Sequence, residues 1–138
     1  MISCVPAEPI HYEKIVLGER HKHEIIGMPK VGAALAFLNG EDVVAILGGH
    51  LIFNGVLQVW AFISDAVRKC PVSFHKSVVG ILGFYFKEFK LRRMQFSVRS
   101  DFDMGIKWAE SLGFRAEGLM KNYAQDGMSC WLYAKVSE

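Results

Sequence analysis

The chain lacks the features that mark secreted, membrane-spanning and nucleic-acid-binding proteins. Its three cysteines are scattered over 138 residues without a C-x-x-C pair, so no disulfide framework is predicted. The longest apolar stretch, residues 78–86, is far shorter than the roughly 20 residues that cross a bilayer. A net charge of +2 is too small to require a nucleic-acid partner. The first four residues lack the basic start of a signal peptide, so a cytoplasmic location without membrane contact is expected.

What the chain does contain is enough apolar material for a core. Hydrophobic residues make up 51% of it and charged residues 22%, which is typical of a globular protein rather than a disordered one. There is no repeat and no Pro/Ser-rich linker, and 138 residues suit one compact core. We therefore predict a single domain over residues 1–138.

The first half of the sequence reads as strands joined by tight turns. A strand is predicted at residues 2–5 and a helix, from one apolar stripe, within residues 10–26. Residues 34–38 and 43–51 flank Asn39-Gly40, and a second Asn54-Gly55 turn leads into residues 56–63. Because Asn-Gly readily adopts positive φ angles, these three runs are predicted to form an antiparallel meander.

The second half alternates helices and strands. Residues 72–90 are apolar on most faces, which predicts a central helix covered on several sides, and residues 93–98 alternate as a strand. Strand, helix and strand in this order predict two parallel neighbouring strands. A helix over residues 102–112, capped by Asp101 and ended by Gly113, is followed by a hairpin of residues 115–123 and 128–136.

The junction between the strand ending at Ile63 and the central helix is a candidate anion site. The first N–H groups of a helix lack intrahelical partners, and the helix dipole is positive at that end. Arg68, Lys69, His75 and Lys76 add cationic groups around it. The alternative interpretation is that these are ordinary solvated loop charges beside a helix cap.

The ordered set of motifs resembles the GCN5-related N-acetyltransferases, the GNAT family. The segment 68–73 occupies the place of the family's acyl-CoA loop, Arg/Gln-x-x-Gly-x-Gly/Ala, although Pro71 and Ser73 replace its glycines. The segment 101–114, which ends in Leu-Gly-Phe, is similar to the family's Asn-x-x-Ala-x-x-Phe-Tyr-x-x-x-Gly-Phe pattern and precedes a closing hairpin. A strand ending in Ser64-Asp65 before an imperfect loop also resembles small GNAT-like proteins of short-tailed bacteriophages.

The resemblance implies an α/β fold of GNAT type. This is a twisted mixed sheet of six or seven strands, largely antiparallel, with one splayed parallel pair and flanking helices. Acetyl-CoA would be the cofactor, in the opening between the strand that ends at Ile63 and the strand that begins at Arg93. The residues implied for cofactor binding are Phe62, Ile63, Arg68, Lys69, Val72, Ser73, Phe74 and Trp108. Strand positions such as Phe62 are equally well explained as core.

Proton transfer is less well defined by the sequence. The family often has a Glu on the fourth strand, but here the residues are Leu57 and Gln58, and an amide accepts no proton at neutral pH. His50 is a candidate base, although a lone His in an apolar strand is more often structural. A Tyr common in the family is replaced by Ala109, so Tyr123 or Tyr133 would supply a proton. His50 and Tyr123 are the predicted catalytic residues.

Other reactive groups fit no known site. Cys70 and Cys130 lack a His partner in a thiol-enzyme pattern, and His11, His21 and His23 lack the i, i+4 spacing of a zinc motif, so no metal is predicted. The expected function is an acyl-CoA-dependent N-acyltransferase acting on a small-molecule or protein amine. The rival is an inactive GNAT-like phage protein that serves as a virion component or binds a host bacterial protein. The oligomeric state is left open, a dimer included.

Overall fold

A computed structural model describes residues 2–15 and 34–137 and contains a seven-stranded mixed sheet. The strands are β1 (Ile2–Pro6), β2 (Ala34–Asn39), β3 (Asp42–Phe53), β4 (Val56–Ile63), β5 (Arg93–Arg99), β6 (Arg115–Met120) and β7 (Cys130–Val136). The helices are α1 (Pro9–Lys14), α2 (Pro71–Glu88) and α3 (Asp103–Ser111), with a 3₁₀ turn at Asp65–Lys69.

The strand order is β1-β2-β3-β4-β5-β7-β6, and β4 with β5 is the parallel pair in an otherwise antiparallel sheet. The predicted fold class, mixed sheet and flanking helices are confirmed. Both Asn-Gly turns are also confirmed, because Gly40 and Gly55 have φ angles of 63° and 87° and each begins the link to the next strand.

The chain divides into two compact units, so the prediction of a single domain stays a prediction. The first unit contains the chain up to His50 together with Trp60–Gly83. Its core includes a cluster of Ile15, Val43, Ile46 and Phe62, and α2 contributes Phe74, whose ring meets Phe37 edge to face at 5.4 Å. Apolar burial of this kind is the main stabilising contribution available to a small unit.

Helix α2 differs from its prediction. Its buried residues are Phe74, Val78 and Leu82, which follow one another at intervals of four and therefore form a single stripe. Val79 is 49% exposed and Phe84 is 53% exposed. The expectation of a helix covered on several sides was wrong, because apolar composition does not fix how many faces of a helix are buried.

The second unit consists of Leu51–Val59 and Phe84–Glu138. Here β4 and β5 form a parallel ladder of three residue pairs, which begins at Val56 with Arg93 and ends at Gln58 with Gln95, while each strand continues beyond it. Strand β7 pairs along the whole of β5, and the closing hairpin of β6 and β7 is present as predicted.

The ends of helix α3 confirm one prediction and correct another. Gly113 has a φ of 90°, and the N–H groups of Gly113 and Phe114 donate to carbonyls of the last helical turn, so the predicted C-terminal glycine cap is confirmed. The N-cap is Phe102 rather than Asp101, and no side chain caps it. Asp101 was wrongly predicted as the cap because its carboxylate pairs with Arg99 instead.

Some predictions fall outside the described residues. Of the helix predicted within residues 10–26, the structure has Pro9–Lys14, and Ile15 after it has extended backbone. The later positions of that prediction, with His21 and His23, fall in residues 16–33, outside the described residues. In the part of the chain that the structure describes, no helix combines the length and apolar character needed to cross a membrane.

Candidate functional site

Ser64 fixes the point where β4 leaves the sheet. It is the only buried polar or charged residue among those described, with 3% of its surface exposed. Its Oγ lies 2.9 Å from the Val43 carbonyl oxygen and 3.1 Å from that of Val44, and it accepts from Ala66 N–H at 3.2 Å. Its own N–H donates to Val44 at 2.9 Å. The junction is therefore tied to β3 by one side chain whose hydrogen-bonding groups are satisfied.

The start of α2 presents free backbone donors. Phe74 N–H donates to the Cys70 carbonyl at 3.0 Å, so the helical bonding begins at Cys70. Pro71 has no N–H, and within the described residues the N–H groups of Val72 and Ser73 have no hydrogen-bond partner. Two donors thus remain at the positive end of an 18-residue helix.

Two cations precede these donors. Arg68 and Lys69 end the 3₁₀ turn and are both exposed. Neither side chain makes a hydrogen bond or an ion pair with any described residue. Unpaired cations next to free N–H groups provide the donors that an anion such as a diphosphate requires, so the residues present fit the charged part of an acyl-CoA.

The other residues predicted to contact the cofactor in the first unit differ in exposure. Phe62 and Phe74 are buried at 2% and 3% exposure, so their side chains belong to the core, while Ile63 is half-buried. The Phe74 N–H is already used within the helix. His50 is exposed on β3.

The second unit holds the remaining predicted residues. Trp108 is half-buried on α3, and Tyr123, after β6, is 58% exposed. The Tyr133 hydroxyl, in contrast, donates to Glu110 at 3.4 Å, and burial and the charge of Glu110 raise the pKa of the Tyr133 phenol. Ala109 is fully buried. Of the two tyrosines that the sequence left open, Tyr123 is the accessible one.

A polar chain in the second unit was not predicted as a site. Arg93 holds the Glu117 carboxylate with two bonds of 2.6 and 3.0 Å, and its Nε donates to Gln95 Oε1 at 2.6 Å. Gln95 Nε2 then donates to Gln58 Oε1 at 2.9 Å. The sequence did carry a signal, because Gln58 is the one polar residue in the strand Val56–Ile63.

A second ionic network centres on Arg99. Its guanidinium donates to Asp101 at 3.1 and 3.2 Å and to Asp126 at 3.0 and 2.9 Å. Asp126 also accepts from Met128 N–H at 3.1 Å, and these bonds hold the pKa of its carboxyl below the ordinary value. Arg99 therefore ties the end of β5 to the turn between β6 and β7.

No metal or disulfide chemistry emerges from the described residues. Among them, no group of three His, Cys, Asp or Glu side chains could hold a metal ion. None of the three cysteines, all of them described, forms a disulfide, and desolvation raises the pKa of the Cys4 thiol. The Cys70 thiol lies 3.8 Å from the Ala66 carbonyl oxygen.

Comparison with solved structures identifies the fold. A GNAT family acetyltransferase from Elizabethkingia anophelis, solved with acetyl-CoA bound, superposes with a TM-score of 0.78 at 11% identity, over 99% of this chain and 98% of that one. An acetyltransferase of the GNAT family from Bacillus anthracis gives 0.71 at 15% identity, over 98% and 94%. The yncA protein from Salmonella typhimurium, with its cofactor acetyl-CoA, gives 0.71 at 10% identity, over 99% and 94%.

Comparison of the sequence with protein-family profiles and with curated proteins gives no match. At these identities the structural likeness shows the GNAT fold, and activity must be argued from this chain's residues.

Proposed function

We propose that this protein is an acyl-CoA-dependent N-acyltransferase that transfers an acetyl group from acetyl-CoA to an amine. The observation that carries the proposal is the junction of β4 and α2 within the GNAT fold. It combines two exposed cations, Arg68 and Lys69, whose side chains pair with no described residue, with the helix N–H groups of Val72 and Ser73, which have no partner there either. Together these groups would neutralise and orient a diphosphate.

Each group at the junction has a distinct part in binding. Arg68 and Lys69 supply charge, the N–H groups of Val72 and Ser73 supply directed donors, and Ser64 keeps the turn that carries the cations in place. Ile63 would contact the cofactor through its main chain, and Trp108 would contribute apolar surface. When bound, acetyl-CoA supplies a thioester that an amine can attack directly in a ternary complex.

Proton transfer is assigned to two exposed groups. His50 would accept the proton that the attacking amine loses, and Tyr123 would donate one to the departing thiolate. Tyr133 is unsuited to this task because its hydroxyl already donates to Glu110. Gln58 cannot serve as the base because a carboxamide is not protonated at neutral pH. The acceptor would be a small-molecule or protein amine.

Calorimetric titration with acetyl-CoA tests the proposal. We expect binding in the micromolar range, and we expect Arg68→Glu to weaken it by at least about tenfold because the substitution places a negative charge beside the diphosphate. Arg115→Glu is the matched control, since the Arg115 side chain is exposed and makes no hydrogen bond or ion pair with the described residues. Equal affinity for wild type and Arg68→Glu, or no binding at millimolar acetyl-CoA, would contradict the proposal.

A rival function rests on the same loop. Pro71 removes one N–H from the first turn of α2, and Ser73 adds a side chain where the family has glycine. Both changes favour a GNAT-shaped protein without turnover, such as a phage virion component or a binder of a host protein. A failure of acetyl-CoA to bind in the titration above would favour this rival.

A further inference from the structure

The polar chain Glu117, Arg93, Gln95 and Gln58 crosses the sheet of the second unit from β6 to β4. Glu117 lies at the register shift of β6, between Ala116 and Gly118, and reaches Arg93 on β5 across the intervening strand β7. Gln95 and Gln58 are directly opposite each other and form the last pair of the parallel ladder. This series of hydrogen-bonded side chains therefore ends at the point where β4 and β5 stop pairing.

The direction of every hydrogen bond in this chain is fixed by chemistry. A guanidinium can only donate, so Gln95 must present its carbonyl oxygen to Arg93 and its amide nitrogen to Gln58. Gln58 in turn must use its oxygen to accept from Gln95. The Gln58 amide N–H₂ is thus the last group in this series of side chains, and no described residue accepts a hydrogen bond from it.

The charged end of the chain holds this orientation. Two bonds from Arg93 lower the pKa of the Glu117 carboxyl, so Glu117 stays ionised and Arg93 stays directed toward it at neutral pH. Rotating the Gln58 amide would require Gln95 to rotate, which would leave an amide N–H facing the guanidinium. Gln58 is consequently held with its N–H₂ group outward as a donor, whereas a freely rotating amide could present either its N–H₂ or its oxygen.

We propose that Gln58 is a specificity-determining residue whose amide N–H₂ binds an acceptor oxygen on the amine substrate. The substrate class this selects is an amine that also carries a carboxylate or carbonyl group, such as an amino acid or a peptide end, rather than a simple alkylamine. The proposal deepens the proposed function and depends on it. It also gives a role to a half-buried polar residue in an otherwise apolar strand.

Side-chain amide resonances in a nitrogen-15 NMR spectrum test the proposal without acetyl-CoA or turnover. The probes are three matched amine pairs: glycine and methylamine, alanine and ethylamine, phenylalanine and phenethylamine. The second member of each pair lacks only the carboxylate. We expect the Gln58 amide signals, identified by their loss in Gln58→Glu, to shift at about tenfold lower concentration with the amino acids. Equal shifts within each pair, or no shift with any probe, would overturn it.

Two variants separate donor orientation from general stability. Gln58→Glu can still accept from Gln95 but replaces the free N–H₂ by a carboxylate oxygen. The preference for the amino acid over the simple amine of each pair should therefore reverse. Because this variant has no amide signal at position 58, binding is followed on the backbone signals of β4. Arg93→Met removes the group that orients Gln95, so the preference should shrink, whereas Arg115→Met should leave it unchanged. An unaltered preference in Arg93→Met would contradict the orienting role.

The two proposals can fail separately. Acetyl-CoA titration of Gln58→Glu should give the wild-type affinity, because Gln58 is not among the groups assigned to the cofactor. Loss of acetyl-CoA binding in every variant, wild type included, would remove the transferase and leave the amino-acid preference as a binding property of the second unit.

Discussion

Arg68 in the first unit and the pair Arg93 and Arg99 in the second are used in opposite ways. In the first unit Arg68 is exposed at the start of a helix and pairs with no described residue. In the second unit Arg93 and Arg99 each hold carboxylates through paired bonds of 2.6 to 3.2 Å. A cation already paired within the fold has a structural or orienting role, whereas an unpaired one is available to a ligand.

The units also differ in what positions their key groups. The junction at Ser64 depends on packing and backbone hydrogen bonds, because Phe62 just before it belongs to a buried cluster against which Trp60 packs, and the Ser64 hydroxyl bonds the Val43 and Val44 carbonyls. The ends of β5 depend on charge. Changes of side-chain volume should therefore disturb the first unit most, and changes of pH should disturb the second.

The largest effect is expected from Gly48→Ala. A Cβ at Gly48 would overlap the Trp60 indole, which packs directly over the glycine in the first unit. Neither the strand nor the ring can move without disturbing the core, so we expect a loss of about 3 kcal/mol in the free energy of unfolding. Urea denaturation measures this loss.

Gly80→Ala is the control for that substitution. Gly80 lies in α2, and a Cβ there would meet nothing within 4 Å. Alanine should stabilise the helix by about 0.5–1 kcal/mol. Wild-type stability in Gly48→Ala would show that the close packing of Trp60 on Gly48 is not real.

A smaller loss is expected from Ser64→Ala. The substitution leaves the Ala66 N–H without its acceptor and the Val43 and Val44 carbonyls with fewer donors in a buried place. We expect about 2 kcal/mol of destabilisation, together with weaker acetyl-CoA binding, because the cations that follow lose their anchor. Urea denaturation and calorimetry measure the two effects.

Ser77→Ala provides the matched control for Ser64. Its hydroxyl donates to the Ser73 carbonyl at 3.0 Å on an exposed helical surface, where water can replace it. Both stability and acetyl-CoA affinity should stay near wild type. If the two serine variants behaved alike, the junction would not depend on the buried hydroxyl.

Turn residues and the spacing of apolar residues made much of the fold predictable from the sequence. Asn-Gly pairs located both turns of the meander, and the order strand, helix, strand predicted the parallel pair of β4 and β5. The depth of burial of α2 could not be predicted, because its composition is apolar on most faces and only the packing decides that Val78 is covered and Val79 is not.

The candidate site was less predictable, for a different reason. The cationic loop is continuous in sequence and could be located, but the chain from Glu117 to Gln58 joins residues 24 and 37 positions apart through register alone. Likewise Asp101 suits a helix cap as a local pattern, yet its carboxylate binds Arg99. The local preference of an Asp for a helix N-cap is outweighed when a charged partner on a neighbouring strand binds its carboxylate.

The smallest effect at neutral pH, and the most diagnostic, is expected from Arg99→Met. The carboxyl of Asp126 has a lowered pKa chiefly because it accepts from Arg99, so its contribution is present above the unfolded-state pKa of about 4. That contribution is lost as the pH falls below this value toward the lowered folded-state pKa. Arg99→Met should therefore be modestly less stable at neutral pH and should lose less stability than wild type on acidification.

Urea denaturation at about pH 7 and about pH 3 measures this pH dependence. Arg115→Met removes the same charge from an exposed position without a described partner, so its stability should fall with acid as steeply as that of wild type. An Arg99→Met protein that followed the wild-type acid profile would mean that the carboxylates of Asp101 and Asp126 gain nothing from Arg99. The contrast between key groups positioned by packing in the first unit and by charge in the second would then be wrong.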